Sequence, residues 1–269
     1  MIAFPNAKIN LGLNILSKRP DGYHNLTSCF VPIDWSDALE VILSDSFAFT
    51  SSGLDIPGDA SGNLVVQAYE LLRADFDLSP VHFHLHKVIP MGAGLGGGSS
   101  DGAFALRLLN DLFVLDLDVD RLQAYAKKLG ADCPFFVENK TQLVSGIGDV
   151  MEEIAVDLSA YQLAVLYPPV HIHTGQAFGG ITPRIPAELP RDILSGPIEQ
   201  WREVLVNDFE TPVFAMHPVL AEIKEEFYRQ GAHYASLSGS GSSIYGLFAK
   251  GHELQWPQVD GALHFVHQF

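Results

Sequence analysis

Residues 90–106 read PMGAGLGGGSSDGAFAL, a loop carrying Gly92, Gly94, Gly96, Gly97 and Gly98 that runs straight into an apolar-periodic helix. Without Cβ atoms these glycines can take positive φ and let backbone N–H groups approach an anion closely. Ser99, Ser100 and Asp101 are good helix starters, and Ala103, Leu106 and Leu109 continue at helical spacing. The loop therefore ends at a helix N-terminus carrying roughly +0.5 charge, a place to hold phosphate before any lysine is counted.

Two familiar phosphate loops fit poorly. Gly92, Gly94 and Gly97 satisfy G-x-G-x-x-G, but a dinucleotide fold wants a tight strand-to-helix turn and an acidic residue about 20 residues on. Here Pro90 intervenes and two helical patterns follow. A Walker loop is excluded because Gly98 stands where lysine is required.

Upstream, Val81 to Ile89 alternates as a strand, with His82, His84 and His86 on one side. Same-face residues two apart on a strand lie about 7 Å apart, too far for all three to share one ion without a bulge. The same holds for His171 and His173, and the metal assignment is none. At the start, Ala7, Ile9, Leu11, Leu13 and Ile15 alternate with Lys8, Asn10, Gly12 and Asn14, predicting a strand with one polar face. Pro20-Asp21-Gly22 is a turn, returning strands follow at 26–34 and 38–44, and Ser61 to Asn63 can start a helix reaching Ala74.

Downstream, a helix over 120–129 is stopped by Gly130, a turn falls near Gly146 and Gly148, and a strand at 163–167 is ended by Pro168-Pro169. The stretch 179–200, with Pro183, Pro186, Pro190 and Pro197, reads as loop; helices are expected at 199–207 and 218–230. Ala235 to Phe248 reads as strand, Ser-Gly turn, strand. The expected fold class is α+β in two lobes, residues 1–155 and 156–269.

Composition is that of an ordinary globular chain: 269 residues, 47% apolar and 18% charged. Sixteen Lys and Arg against 32 Asp and Glu give a net charge of −16, which argues against nucleic acid or an anionic membrane as partner. Any anion must be met locally, with Lys8, Lys18, Arg19 and Lys87 as candidates. Cys29 and Cys133 are too few for a disulfide framework or cysteine metal site, so a reducing, cytoplasmic setting is expected. No leader or membrane-spanning run is predicted.

Five segments taken together carry a resemblance: PNAKINLGLNI at 5–15, KRPDGYHNL at 18–26, PMGAGLGGGSSDGA at 90–103, GADCPFF at 130–136 and SLSGSGSSIYGLF at 236–248. They resemble the GHMP kinases and, within them, the kinases of 4-diphosphocytidyl-2-C-methyl-D-erythritol in the non-mevalonate isoprenoid pathway. The glycine loop points to the superfamily; AKINL with DGYHNL points to this branch. The resemblance implies an N-terminal lobe like domain 2 of ribosomal protein S5, ATP and Mg²⁺ as cofactors, and that small molecule as the only partner. Whether the chain is a monomer or homodimer is left open.

Residue by residue, the resemblance makes Asp132 the general base and Lys8 its partner, although from the residues alone Asp132 reads first as a helix N-cap and Lys8 as a solvated strand lysine. Asn10 would orient the substrate hydroxyl. Tyr23 and His24, otherwise exposed turn residues, would grip cytosine with Phe178. Asn63, Lys87, Pro90 and the loop from Gly92 through Gly94, Gly96, Gly97 and Gly98 to Ser99 and Ser100 would hold ATP. Gly239 and Gly241 would approach substrate phosphates, buttress the first loop, or simply turn a hairpin. Asp101 departs from the asparagine common in these kinases, setting a carboxylate where it could cap the helix yet oppose a phosphate. The alternatives are another GHMP kinase, of homoserine, mevalonate or a sugar, and a catalytically silent nucleotide-binding module.

Overall fold

The alternation that begins at Ala7 does form a strand, but one buried on both faces. In the computed structural model, which describes residues 1–269 apart from the side chain of Thr174, a short β1 (Ile2–Ala3) is followed by β2 (Asn6–Lys18). Ala7, Ile9, Leu11, Leu13 and Ile15 are buried, and so are Asn6, Lys8, Asn10 and Asn14 on the polar face. A polar face shut away from water requires partners for every group on it.

Next come β3 (His24–Ser36), β4 (Ala38–Leu43) and β5 (Ala48–Gly53), helix α1 (Leu64–Asp75), β6 (Val81–Lys87), and the helices α2 (Gly97–Phe113), α3 (Val119–Leu129) and α4 (Phe135–Glu138). The chain then adds β7 (Gln142–Ser145), β8 (Val150–Glu153), β9 (Tyr161–Tyr167), α5 (Thr174–Gly179), α6 (Pro190–Leu194), α7 (Trp201–Val204), α8 (Glu210–Met216), α9 (Pro218–Arg229), β10 (Tyr234–Leu237), β11 (Ile244–Ala249) and β12 (Leu263–Gln268). The division into units differs from the single cut expected near residue 155. Met1–Lys8, Pro32–Met91 and Gly96–Lys140 form one unit; Ile9–Val31, Gly92–Leu95 and Thr141–Phe269 form the other. The reason is physical: β2 and β3 are long strands that each continue from one unit into the next.

In the first unit the sheet runs β1-β4-β6-β5, with β5 parallel to β6 and the other pairs antiparallel. Leu39, Val41, Val81, Phe83 and Leu85 line its buried face, while α1 packs along α2. Each such buried side chain contributes about 1.5–3 kcal/mol. The Asn63 side chain accepts from Val65 N at 2.9 Å, capping α1, and Asp118 does the same for α3 through Arg121 N. On the other face of the sheet the three histidines alternate with hydroxyls. Thr50 Oγ1 bridges His82 Nε2 (3.0 Å) and His84 Nδ1 (2.9 Å), and Ser52 Oγ bridges His84 Nε2 (2.9 Å) and His86 Nδ1 (3.0 Å). Strand β5, too polar to be read from periodicity, exists through these cross-strand bonds and its pairing with β6.

In the second unit the antiparallel sheet β10-β11-β9-β12 packs against α9, with Phe209, Leu220, Ile223, Phe227, Leu237, Ile244 and Phe248 in one core. Strands β7, β8 and β12 and helices α5, α6 and α8 lie outside the expected elements. The helix expected at 199–207 shortens to Trp201–Val204. These are short segments whose periods are too brief to read. No helix among the described residues is long and apolar enough to cross a membrane.

Candidate active site

Within the first unit, Lys8 Nζ stands 3.5 Å from Asp132 Oδ2, the lysine side chain 4% and the aspartate 33% exposed. Burial holds the Lys8 ammonium below its ordinary value, while the charge of Asp132 opposes that shift. Asp132 is not the cap of α4: the capping position is Pro134, and no side chain bonds there. A buried ammonium beside a half-exposed carboxylate leaves the carboxylate accessible to a hydroxyl. Asn6 and Asn139 exchange amide hydrogen bonds (3.2 and 2.7 Å), tying the end of α4 to the strand that carries Lys8.

The glycine loop abuts this pair. Gly96 has φ +71, and a Cβ there would lie 2.9 Å from Phe136 Cζ and 3.2 Å from Lys8 Cε, so only glycine fits. Gly97 and Gly98, expected in the loop with positive φ, are instead the first residues of α2, which starts two residues before Ser99. Ser99 and Ser100 therefore sit inside the first turn; Ser100 N donates to the Gly96 carbonyl at 2.9 Å, and the helix N–H groups before it have no intrahelical acceptor. Ser99 hydrogen-bonds the buried Cys133 thiol, which burial pushes up to about 12. Ser100 Oγ is fully buried and has no hydrogen-bond partner.

Two residues of the motif region are more enclosed than expected. Lys87 Nζ donates to Asp37 Oδ2 at 2.5 Å and Asp101 Oδ2 at 2.6 Å, all three side chains shut from solvent. Asp37 also accepts from Val88 N and Ile89 N (2.5 and 2.8 Å), fastening the loop's entry. Asp101 is neither cap nor exposed carboxylate. One ammonium balances one carboxylate, so the second is left in a dry site, and burial pushes the Asp101 carboxyl up to about 8, with Lys87 opposing and Asp37 adding. Asp37 carried no motif, but Lys87 falls on the buried face of β6 with Val81, Phe83 and Leu85, a signal that it needs a buried partner.

A cavity of about 330 Å³ opens beside α2, lined by Phe49, Ile56, Asn63, Met91, Gly98 and Asp101 among others. Asn63 lines it; Phe49 and Ile56 fall in β5 and the loop after it, which carry no motif, and Met91 lies among the glycines of the quoted motif, where the glycines alone drew the reading. Pro90 is buried at the loop's start.

Within the second unit, Asn10 Nδ2 donates to Ser28 Oγ (3.0 Å) and the Asn10 carbonyl accepts from Tyr245 Oη (2.6 Å), fixing the buried strand. The His24 and Phe178 rings stack at 4.9 Å, and Phe178 meets Phe209 edge-on at 4.8 Å. Tyr23 is outside this stack, 61% exposed on a turn shaped by Arg19 and Asp21. The Ser-Gly turn buttresses the glycine loop. Ser238 Oγ donates to the Gly94 carbonyl (2.9 Å), Ser243 N to that of Ala93 (3.1 Å), and a Cβ at Gly94 would strike the Ser238 backbone. Gly239 and Gly241 thus face loop backbone rather than open space. Asn207 holds their turn through Leu237 O and Gly239 O, a role no local pattern announces. Gly92 lies under His171.

Comparison with known proteins agrees with this geometry. Residues 63–140 match the model of the GHMP kinases N terminal domain and 191–255 that of GHMP kinases C terminal. The 4-diphosphocytidyl-2-C-methyl-D-erythritol kinase of Bacteroides thetaiotaomicron is 51% identical over 252 residues, 92% of each chain, and that of Cytophaga hutchinsonii 49% identical over 249 residues, again 92% of each. A crystal structure of 4-(cytidine 5'-diphospho)-2C-methyl-D-erythritol kinase superposes with a TM-score of 0.76 at 32% identity, covering 92% of this chain and 90% of the other. The mevalonate kinase of Methanococcus jannaschii shares the fold alone, with a TM-score of 0.72 at 12% identity over 100% of this chain and 98% of the other. The chain belongs to the 4-diphosphocytidyl-2-C-methyl-D-erythritol kinase family of the GHMP kinases.

Proposed function

We propose that this kinase transfers the γ-phosphoryl group of ATP to the 2-hydroxyl of 4-diphosphocytidyl-2-C-methyl-D-erythritol in the cytoplasm. The observation that carries the mechanism is the buried Lys8 at 3.5 Å from the half-exposed Asp132, against Gly96 of the phosphate loop. Asp132 takes the proton of the attacking hydroxyl, the oxygen bonds to phosphorus as the bond to the ADP oxygen breaks, and Lys8 stabilises the charge on the attacking oxygen. No phosphoenzyme is needed.

The donor nucleotide is assigned to the first unit. The cradle at Gly96, the unpaired N–H groups of the first turn of α2 and the orphaned Ser100 hydroxyl fit phosphate oxygens, and the cavity beside Asn63 and Met91 fits a nucleoside. Mg²⁺, when bound, neutralises charge between the donor phosphates, with Ser99 and Ser100 as the protein oxygens at hand. For the acceptor, His24 and Phe178 supply the aromatic wall for cytosine and Asn10 the polar group for the hydroxyl. Tyr23, exposed as it is, would close over the base from its turn.

An ADP-release assay with Mg-ATP and the cytidyl substrate, beside homoserine and mevalonate, tests this. Turnover on the cytidyl substrate alone supports it; turnover on a control, or ATP binding without any turnover, sinks it.

A further inference from the structure

The ring of His171 lies over Gly92, whereas the open side of Gly94, two residues on, is filled by the Ser-Gly turn. A Cβ on Gly92, at φ +69, would sit 3.6 Å from His171 Nδ1 and 3.7 Å from Cε1. His173 meets the same ring edge-on, centroids 4.7 Å apart at 88°, which limits where the imidazole can turn. Both histidines are exposed, so their ring nitrogens can reach a ligand. The segment 168–178 that carries them contains no carboxylate, and the loop 90–100 contains no Lys or Arg. In a chain of net charge −16, this is a rare stretch where a strongly anionic group meets donors and no acid.

Helix α5 runs from Thr174 to Gly179 with His173 at its capping position, and Phe178 stacks on His24. His173, against which the His171 ring packs, therefore stands about 7 Å along the helix from Phe178, comparable with the reach from a nucleobase across its ribose to the first phosphate. Resting on the reading of His24 and Phe178 as the cytosine wall, we infer that His171, steadied by His173, hydrogen-bonds the diphosphate of the acceptor substrate against Gly92. It is a binding residue for the acceptor and takes no part in the proton transfer.

The test compares cytidine with CDP as binding probes by calorimetry, alongside steady-state kinetics. In wild type, CDP binds more tightly than cytidine. In His171→Ala that preference shrinks about tenfold, the loss of a charge-assisted hydrogen bond. Cytidine affinity stays unchanged, the KM for the cytidyl substrate rises, and kcat and the KM for ATP hold. His171→Arg restores most of the preference, which a merely structural role for the ring would not allow. An unchanged CDP preference in His171→Ala, or a loss confined to the KM for ATP, overturns the inference. Wild-type enzyme that binds cytidine no better than uridine overturns the underlying cytosine assignment instead, and this inference with it.

Discussion

Two buried lysines flank the same loop in opposite surroundings. Lys8 faces one carboxylate at 3.5 Å that is a third exposed; Lys87 is gripped by two at 2.5 and 2.6 Å with none of the three in contact with solvent. Each touches the loop, Lys8 under Gly96 and Lys87 Nζ 3.1 Å from where a Cβ on Gly97 would lie. The Lys8 region is open to solvent on its acidic side, at Asp132. The Lys87 region is saturated and closed, the condition for holding β6, the loop entry and the first turn of α2 in one geometry. Charge type says nothing about which is which; the exposure of the carboxylate partners separates them.

The largest effect that would break this contrast is on stability. Lys87→Met leaves the buried Asp37 carboxylate without its ammonium, and we expect a loss of about 3–5 kcal/mol in urea unfolding. A smaller loss, below about 1 kcal/mol, would mean that the triad is not a structural clamp. Asp132→Asn is the counterpart. It should unfold within about 0.5 kcal/mol of wild type while kcat falls about 10²–10⁴-fold with ATP binding retained. If Asp132→Asn lost stability as Lys87→Met does, the two regions would not differ in kind.

A finer probe is the pH dependence that Asp101 imposes. Its carboxyl sits near 8 in the fold against 3.8 in the open chain, so between those values the folded state holds a proton that the unfolded state has lost. Stability conferred by that proton is fully present below about pH 4, falls as pH rises by up to about 1.4 kcal/mol per unit, and is exhausted above about pH 8. Asp101→Asn should remove this slope in thermal melts between pH 5 and 8. A slope that survives the substitution belongs to another group. The smallest expected effect is Asn63→Ala, which removes the cap of α1 and should cost about 1 kcal/mol. The same variant should raise the KM for ATP if Asn63 also walls the nucleoside cavity; unchanged ATP kinetics would leave it a cap alone.

Much of the architecture was legible because its signals are local. The β2 alternation, the α1 start at Asn63, the α3 stop at Gly130 and the final strand-turn-strand each follow from a few adjacent residues, and all appear in the fold. The polar strand β5 was not legible, since its hydroxyls are satisfied by histidines 32 to 34 positions away. In the site, Lys8 lies beside Asp132 and the rings of His24 and Phe178 stack. The displacement of Tyr23 from that stack was not legible, because exposure of a turn residue depends on what packs beside it.

The sequence by itself determined that a glycine loop meets a helix N-terminus, that an alternating strand precedes it, and that the motifs are those of one kinase family. Tertiary structure alone decided that the polar face of β2 is buried, that Lys87 closes on Asp37 and Asp101 across 50 and 14 residues, and that the Ser-Gly turn braces Gly94 from 144 positions away. Helix and strand periodicity is written in neighbouring side chains, whereas the partner of a buried charge is chosen by whichever distant group the packed core brings within hydrogen-bond reach.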